Sequence, residues 1–209
     1  MPSNNMTLFY SPASPFVRKI MVLLHETGQL QKVDLHNVQL SPVAPNSDVV
    51  ARNPSGKIPA LQLANGDTLH DSRVILDYLD HQHSGEPVIP RNGPQRWQRL
   101  TLASLADAIL DAAVLIRYET ALRPEELLWP QWLEGQQAKI ERALGEFEAQ
   151  ADTGALNTFD IATISLACAL GYLDFRQPQL AWRERFPKLA SWYSEVSQRD
   201  SLSKSQPPA

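Results

Sequence analysis

The spacing of apolar positions changes character once along the chain. Up to about position 83, short apolar runs alternate with turn signals. Met6–Tyr10 (MTLFY) predicts a buried strand closed by Ser11-Pro12. Positions 14–26 (SPFVRKIMVLLHE) predict a helix, with Ser14 as its N-cap, Pro15 in its first turn and Gly28 as its stop. Positions 33–38 (VDLHNV) alternate as a strand does. Two more short apolar runs, 58–63 (IPALQL) and 68–70, flank Asn65-Gly66, a strong local hairpin signal. Positions 71–81 (DSRVILDYLDH) predict a helix with an acidic start. The order is β-α-β, an irregular stretch rich in Pro and Ser, then β-β-α.

Positions 84–94 (SGEPVIPRNGP) hold three prolines and two glycines and read as a linker. Strand signals vanish beyond it. Trp97, Leu100, Thr101, Ser104, Leu105, Ala108, Ile109, Ala112, Leu115 and Ile116 recur at three- and four-residue spacing. They predict one long amphipathic helix whose small residues permit close packing. Pro124 fits the first turn of a following helix running to about Gln150, with a bend at Pro130. Positions 157–175 predict a third helix, apolar on most sides and therefore central. Asn157 reads as its N-cap, with Asp160 three residues on as a shortened capping box. Positions 187–198 open a last helix on a proline. The expected fold class is α/β plus all-α: an α/β domain at 1–83, a linker at 84–94 and an all-helical domain at 95–209.

Composition narrows the partners. Hydrophobic residues make up 43% and charged residues 20% of 209, an ordinary globular balance with ample length for a core. The net charge is −4 and the basic residues are scattered, so no nucleic-acid partner is expected. The opening MPSNNMTLFYSPAS has no basic segment followed by a long apolar stretch, so no secretion signal is expected. The apolar stretch 161–173 is too short to span a bilayer, so no membrane partner is expected either. The single cysteine, Cys168, leaves no intramolecular disulfide and no Cys-x-x-Cys centre. The expected location is cytoplasmic. The tail at 201–209 reads as frayed. The five histidines, at 25, 36, 70, 81 and 83, have no metal-ligand spacing, and no metal is expected. Gly56-Lys57 lacks the rest of a phosphate loop.

Three constellations carry chemistry. Ser11 and Ser14 sit at a strand-to-helix turn, where unpaired N–H groups and partial positive charge favour an anion or a thiolate. A free thiol titrates near pH 8.5, and favouring its anion about a hundredfold takes roughly 2.7 kcal/mol. One charge-assisted hydrogen bond supplies about 1.5–3 kcal/mol and a helix end up to about 1, so the two together suffice. The same serines serve equally as plain turn and cap residues. Ile58-Pro59 precedes a strand: a cis proline would turn the backbone of Ile58 toward a peptide ligand added as a strand, and a trans proline would simply open the strand. Asp71-Ser72 opens a helix. The acid suits an ammonium and the hydroxyl with the first N–H groups suits a carboxylate, together an α-amino acid head group; ordinary N-capping needs the same residues.

In their order and spacing, YSPASPFVRKI, NPSGKIPAL, DSRVILDYL, NTFDIATISLACAL and FPKLASWYSEV resemble the cytosolic glutathione transferases, over nearly the whole chain. The ending GYLDFRQPQLAWRERFPKLASW is similar to a bacterial branch of that superfamily. The resemblance implies a thioredoxin-like domain that binds glutathione as co-substrate, and a helical domain supplying a homodimer interface and an acceptor pocket. It implies a detoxifying enzyme that joins the glutathione thiolate to small, hydrophobic electrophiles. Ser11 falls where the family places its catalytic Ser or Cys, with Ser14 as the alternative hydroxyl. Ile58, ahead of the family's cis-proline Pro59, would hold the cysteinyl part of glutathione, Asp71 and Ser72 the γ-glutamyl end, and Lys57 the glycyl carboxylate. Asn157 and Asp160 match a capping element with a folding role. An acceptor pocket would take Tyr10, Phe16, Leu115, Tyr118, Leu122 and Trp129, residues equally suited to a core. Two alternatives remain: glutathione-dependent peroxide reduction, and a non-catalytic module that binds glutathione or another ligand.

Overall fold

The computed structural model describes residues 5–208. Met1–Asn4, part of the segment on which the absence of a secretion signal is read, and the last tail residue, Ala209, lie outside the described residues. The chain divides into two compact units, one extending to Val88 and resuming at Ser203, the other Ile89–Leu202.

The first unit is built on a four-stranded sheet of order β2-β1-β3-β4, with β1 Met6–Tyr10, β2 Val33–Asn37, β3 Ala60–Gln62 and β4 Thr68–Leu69. β1 pairs parallel with β2 and antiparallel with β3, and β3 pairs antiparallel with β4. Helix α1 (Pro15–Glu26) crosses from β1 to β2, as a parallel pair requires. The short α2 (Ser47–Val50) lies in the stretch between β2 and β3, and α3 (Ser72–Asp80) follows β4. The Asn-Gly signal does make a hairpin, through a longer loop than a two-residue turn: the Gly66 N–H donates to the C=O of Leu63 at 2.9 Å, and Gly66 takes φ +92°. Both sheet faces are covered. Phe9 and Ala60 pack with Val38 and Val49 on one face. Leu8 and Leu61, paired across the ladder, face the other way, where α1 and α3 pack together and α3 meets β3.

The second unit is helical. Its long helix α4 (Gly93–Leu122) packs on α5 (Pro130–Gln150) and α6 (Ile161–Arg176). Then come α7 (Trp182–Arg185), α8 (Pro187–Val196) and α9 (Asp200–Ser203). α6 is buried from Ile161 through Leu173, the central position its all-round apolarity predicts.

The structure corrects several local expectations. Pro124 does not open α5; it precedes a separate 3-10 turn, Glu125–Leu127, and α5 starts at Pro130. Pro130 therefore bends nothing. A proline at the first helical position gives up only an N–H that would go unpaired anyway. Asn157 is not the cap of α6; the cap is Asp160, and Thr163 completes the capping box from the third helical position. The tail is not frayed from Ser201: Ser201 and Leu202 lie in α9 and are buried, because the leucine carries enough apolar surface to hold the turn. The apolar stripe of α4 is rotated from the one the spacing suggests. Ala106, Leu110 and Ala113 are buried, whereas Trp97 is 68% exposed, and Thr101, Ser104 and Ala108 are exposed as well.

Candidate functional site

The register of the sheet brings three candidate segments to one end of the first unit. β1 ends at Tyr10, and β3 runs antiparallel to it, with Phe9 opposite Ala60. β4 runs antiparallel to β3, with Leu61 opposite Leu69. So Ser11 leaves β1, Ile58-Pro59 enters β3 and Asp71-Ser72 follows β4 at the same edge. The first turns of α1 and α3 begin there too, and no acidic residue lies within the first turn of either. The α1 terminus there keeps its partial positive charge, whereas that of α3 is met by the carboxylate of its cap, Asp71.

The two serines differ. The Ser14 Oγ accepts from the Val17 N–H at 3.4 Å and caps α1, with Pro15 at the first helical position. Ser11 is half-buried, and its hydroxyl has no hydrogen-bond partner among the described residues. Its C=O receives the Ser14 N–H at 3.0 Å, which fixes the turn between them. One turn into α1, Arg18 and Lys19 are 6% and 1% exposed, both engaged inside the protein, and the Lys19 ammonium lies 5.5 Å from the Phe16 ring centre.

The loop before β3 is held from within by Asn53, a residue the sequence reading leaves without a role. Asn53 is 3% exposed. Its Nδ2 donates to the C=O of Lys57 at 2.8 Å, and its Oδ1 accepts from the N–H of Ser55 at 3.1 Å and the Oγ of Ser55 at 2.8 Å. The Gly56 N–H donates to the C=O of Asn53 at 2.8 Å, and Gly56 takes φ +67°. Asn-Pro-Ser-Gly is a turn sequence for physical reasons: proline presets the second position and glycine accepts the left-handed fourth. That spacing is the signal that points to Asn53. The Ile58–Pro59 peptide is cis, the first of the two alternatives above, as is His70–Asp71. Ile58 lies outside the β1–β3 ladder, with its side chain against Phe9, Val38, Val49 and Ala60. Lys57 is exposed, and its ammonium has no partner among the described residues.

Asp71 caps α3: its Oδ1 accepts from the Arg73 N–H at 2.8 Å and from the Ser72 Oγ at 3.4 Å. Its Oδ2 accepts no bond from a described residue. Capping and ligand binding are thus compatible at Asp71, because each uses a different oxygen. Ser72 is 4% exposed.

The profile of the glutathione S-transferase N-terminal domain matches residues 8–87, and that of the C-terminal domain matches residues 130–195. The uncharacterized GST-like protein YibF of Escherichia coli (strain K12) is 32% identical over 97% of this chain and 99% of its own length. The chain belongs to the glutathione transferase family. A crystal structure of another member, from Pseudomonas fluorescens Pf-5 with bound glutathione, is 62% identical and superposes with a TM-score of 0.96, covering 98% of this chain and 100% of that one. A second crystal structure from the same organism, with bound S-(propanoic acid)-glutathione, is also 62% identical and superposes with a TM-score of 0.91 over the same shares of both chains. The thioredoxin-like first domain and the helical second domain are those of the family.

In this family member the acceptor candidates fall in different places. Tyr10 and Phe16 are half-buried in the first unit. Leu115, Tyr118 and Leu122 share one exposed face of α4, at 43%, 39% and 46% exposure. Trp129 is 61% exposed, beyond the end of that helix at the cap of α5. No group of three or more His, Cys, Asp or Glu that could hold a metal ion occurs among the described residues. No helix among them is long and apolar enough to cross a membrane.

Asn53→Ala removes the donor to the C=O of Lys57 and the acceptor for both Ser55 bonds, and losing such a set of bonds costs about 1–3 kcal/mol. The expected fall in Tm is roughly 3–10 °C. Asn53→Asp keeps the acceptor for Ser55 and loses the donor to Lys57. If both variants melt like the parent, Asn53 does not hold the loop.

Proposed function

We propose that the chain is a glutathione transferase that ionises glutathione at the end of β1 and adds its sulfur to small, hydrophobic electrophiles. The observation that carries this reading is the Ser11 hydroxyl: half-buried, unpaired, at a helix start, and at the same sheet end as Ile58 and Asp71. Ser11 donates a hydrogen bond to the thiolate, and the N-terminus of α1 adds its partial charge. Ile58 pairs through its backbone with the cysteinyl part of the tripeptide. The free oxygen of Asp71 and the hydroxyl of Ser72 take the γ-glutamyl head group, and Lys57 takes the glycyl carboxylate. The thiolate attacks an electrophilic carbon, a C–S bond forms, and a halide leaves with the bonding pair or an activated double bond takes up the charge and then a proton. Ionisation and proximity supply the rate. The relative holding S-(propanoic acid)-glutathione supports a site that also accepts a thioether of the tripeptide.

Disulfide exchange through the protein itself is disfavoured. A serine at position 11 forms no disulfide, and Cys168 is wholly buried in α6. Direct peroxide reduction by the bound thiolate uses the same site and is the second enzymatic reading. A homodimer belongs to the proposal as well; the exposed Trp97, with small exposed residues at Ser104 and Ala108 two and three turns further along α4, suits close approach of a second copy.

Titration of the protein with glutathione, followed by ultraviolet absorbance of the thiolate across pH, tests the reading. The bound thiol is expected to ionise about 100-fold more readily than the free one, with half-ionisation roughly two pH units lower. Glutathione at 100 times its Kd is expected to add about 2.7 kcal/mol of stability. Stabilisation without turnover of a model aryl halide favours ligand carriage; no stabilisation at all removes glutathione from the account.

A further inference from the structure

The turn beyond α3 is closed by an imidazole. His83 lies just past the end of that helix, and its side chain is 7% exposed. Its Nδ1 accepts from the Gly85 N–H at 3.1 Å, and its Nε2 lies 3.1 Å from the Oδ1 of Asp80, whose side chain is wholly buried. The same Oδ1 accepts from the Val88 N–H at 2.7 Å. One carboxylate and one imidazole thus hold the segment from His83 to Val88, where the opening stretch of the first unit ends. Glycine suits the middle of that segment: a Cβ at Gly85 would lie 3.3 Å from the His83 Nδ1, closer than an ordinary contact.

These contacts fix the proton on the ring. A backbone N–H can only donate, so the Nδ1 that receives it carries a lone pair. The neutral imidazole then keeps its proton on Nε2, which donates to Asp80. Among the described residues His83 makes no other hydrogen bond or ion pair, and Asp80 of α3 is the one charged group it meets. Asp77 and His81, at the end of the same helix, are exposed and lie 3.9 Å from each other. Glu86, within the segment, is exposed as well.

An added proton has one place to go, Nδ1. There it faces the Gly85 N–H, two donors with no acceptor between them, and that bond is lost. The other side of the ring gains. An imidazolium donating to a carboxylate makes a hydrogen bond about twice as strong as the neutral one. The ring therefore stays on Asp80 and the Gly85 side gives way. Gly85 is exposed, so its freed N–H turns to water.

We infer that His83 is a proton-operated catch on the segment leading out of the first unit: the neutral imidazole ties Gly85 to Asp80, and the imidazolium lets Gly85 go while keeping Asp80. Val88 stays bound to Asp80 in both states. The catch rests on these contacts alone and not on the glutathione reading.

Nuclear magnetic resonance of the full chain between about pH 8 and pH 5, the range in which imidazoles change charge, tests it. At the upper end, long-range proton–nitrogen correlations of the His83 ring are expected to show the proton on Nε2. As the ring charges, the Gly85 amide signal should move through the same midpoint and its protection from solvent exchange should fall about tenfold, whereas Val88 keeps its protection. Two variants separate the two sides of the ring. In His83→Asn the amide oxygen stands in for Nδ1, as in an ordinary Asx turn, so Gly85 should stay protected across the whole range. In His83→Gln the amide nitrogen reaches Asp80 in place of Nε2, so Gly85 should be unprotected throughout. A proton on Nδ1 at the upper end, an imidazole still neutral at about pH 5, a Gly85 amide indifferent to the charging of the ring, or release of Val88 in step with Gly85 would each overturn the inference.

Discussion

Asp160→Ala is expected to destabilise the protein by about 3–5 kcal/mol and to lower Tm by roughly 10–15 °C, the largest loss for any single side chain discussed here. Asp160 is 5% exposed and serves two structures at once. Its Oδ1 accepts from the Ala162 N–H at 2.9 Å and the Thr163 N–H at 3.4 Å, while its own N–H donates to the Thr163 Oγ1 at 2.9 Å. The same Oδ1 receives the Arg99 Nη2 at 2.6 Å, and the Arg99 Nη1 donates to the C=O of Ala155 at 2.7 Å. Arg99 is 8% exposed. Loss of the cap alone costs about 1 kcal/mol. The greater cost is the buried guanidinium left without its counter-charge. The two contributions separate by mutation. Asp160→Asn caps nearly as well as aspartate, so what it loses is the charge pairing. Arg99→Met combined with Asp160→Ala removes the stranded charge, and the double variant should melt above Asp160→Ala alone. Thermal and urea unfolding of the set decides it. A double variant no more stable than Asp160→Ala would mean that the cap, not the ion pair, dominates.

That pair also marks where the sequence stops being legible. Asn157 with Asp160, and Asp160 with Thr163, are both cap pairs three residues apart, and both precede an apolar run. Local preference does not choose between them. Arg99 does, from α4, 61 positions away in the chain. The second proline problem has the same form. Pro124 and Pro130 both suit a helix start, and α5 opens at Pro130 because the chain spends the interval on a 3-10 turn that no periodicity announces. Where the deciding contact is local, the reading is nearly complete. Met6–Tyr10 is a strand end to end, Ser14-Pro15 opens α1, Asp71 caps α3, and Asn65-Gly66 lies in the β3–β4 hairpin loop. The face of α4 is harder. Its buried side includes Arg99 and Asp107, and its exposed side carries Trp97, so polarity and burial part company and the apolar stripe misleads.

The candidate site divides along the same line. Its positions are readable because each is a local signal: a serine after a strand, a proline before one, an acid and a serine at a helix start. Their convergence is not local, since it follows from the order and directions of β1, β3 and β4. Asn53 goes unremarked because its function is to fold inward onto the Lys57 carbonyl, and only burial exposes that. The choice between Ser11 and Ser14 likewise depends on partners. Both have the right chemistry in the sequence; in the structure Ser14 Oγ accepts from the Val17 N–H while Ser11 Oγ has no partner among the described residues, and each keeps an O–H that can donate.

Ser11→Ala is expected to lower turnover about 10–100-fold, the loss that follows from removing roughly 1.4–3 kcal/mol of thiolate stabilisation. The methyl group fills most of the space of the hydroxymethyl group, and no internal hydrogen bond is lost, since none is made among the described residues. Stability should therefore stay near the parent value while activity falls. Ser14→Ala should do the reverse: its hydroxyl caps α1 through the Val17 N–H, so the loss is about 1 kcal/mol of stability with turnover largely kept. The spectroscopic signature goes further than rate. With glutathione bound to the Ser11→Ala variant, the pH at which thiolate absorbance appears should move up toward that of the free thiol, near 8.5, because only the helix terminus still favours the anion. With Ser14→Ala it should stay at the parent value. An inactive Ser14→Ala variant beside an unaffected Ser11→Ala variant would transfer the role to the capping hydroxyl. Equal turnover in both would leave the thiol activated by the α1 N-terminus and the Ile58 backbone, with no side-chain hydroxyl required.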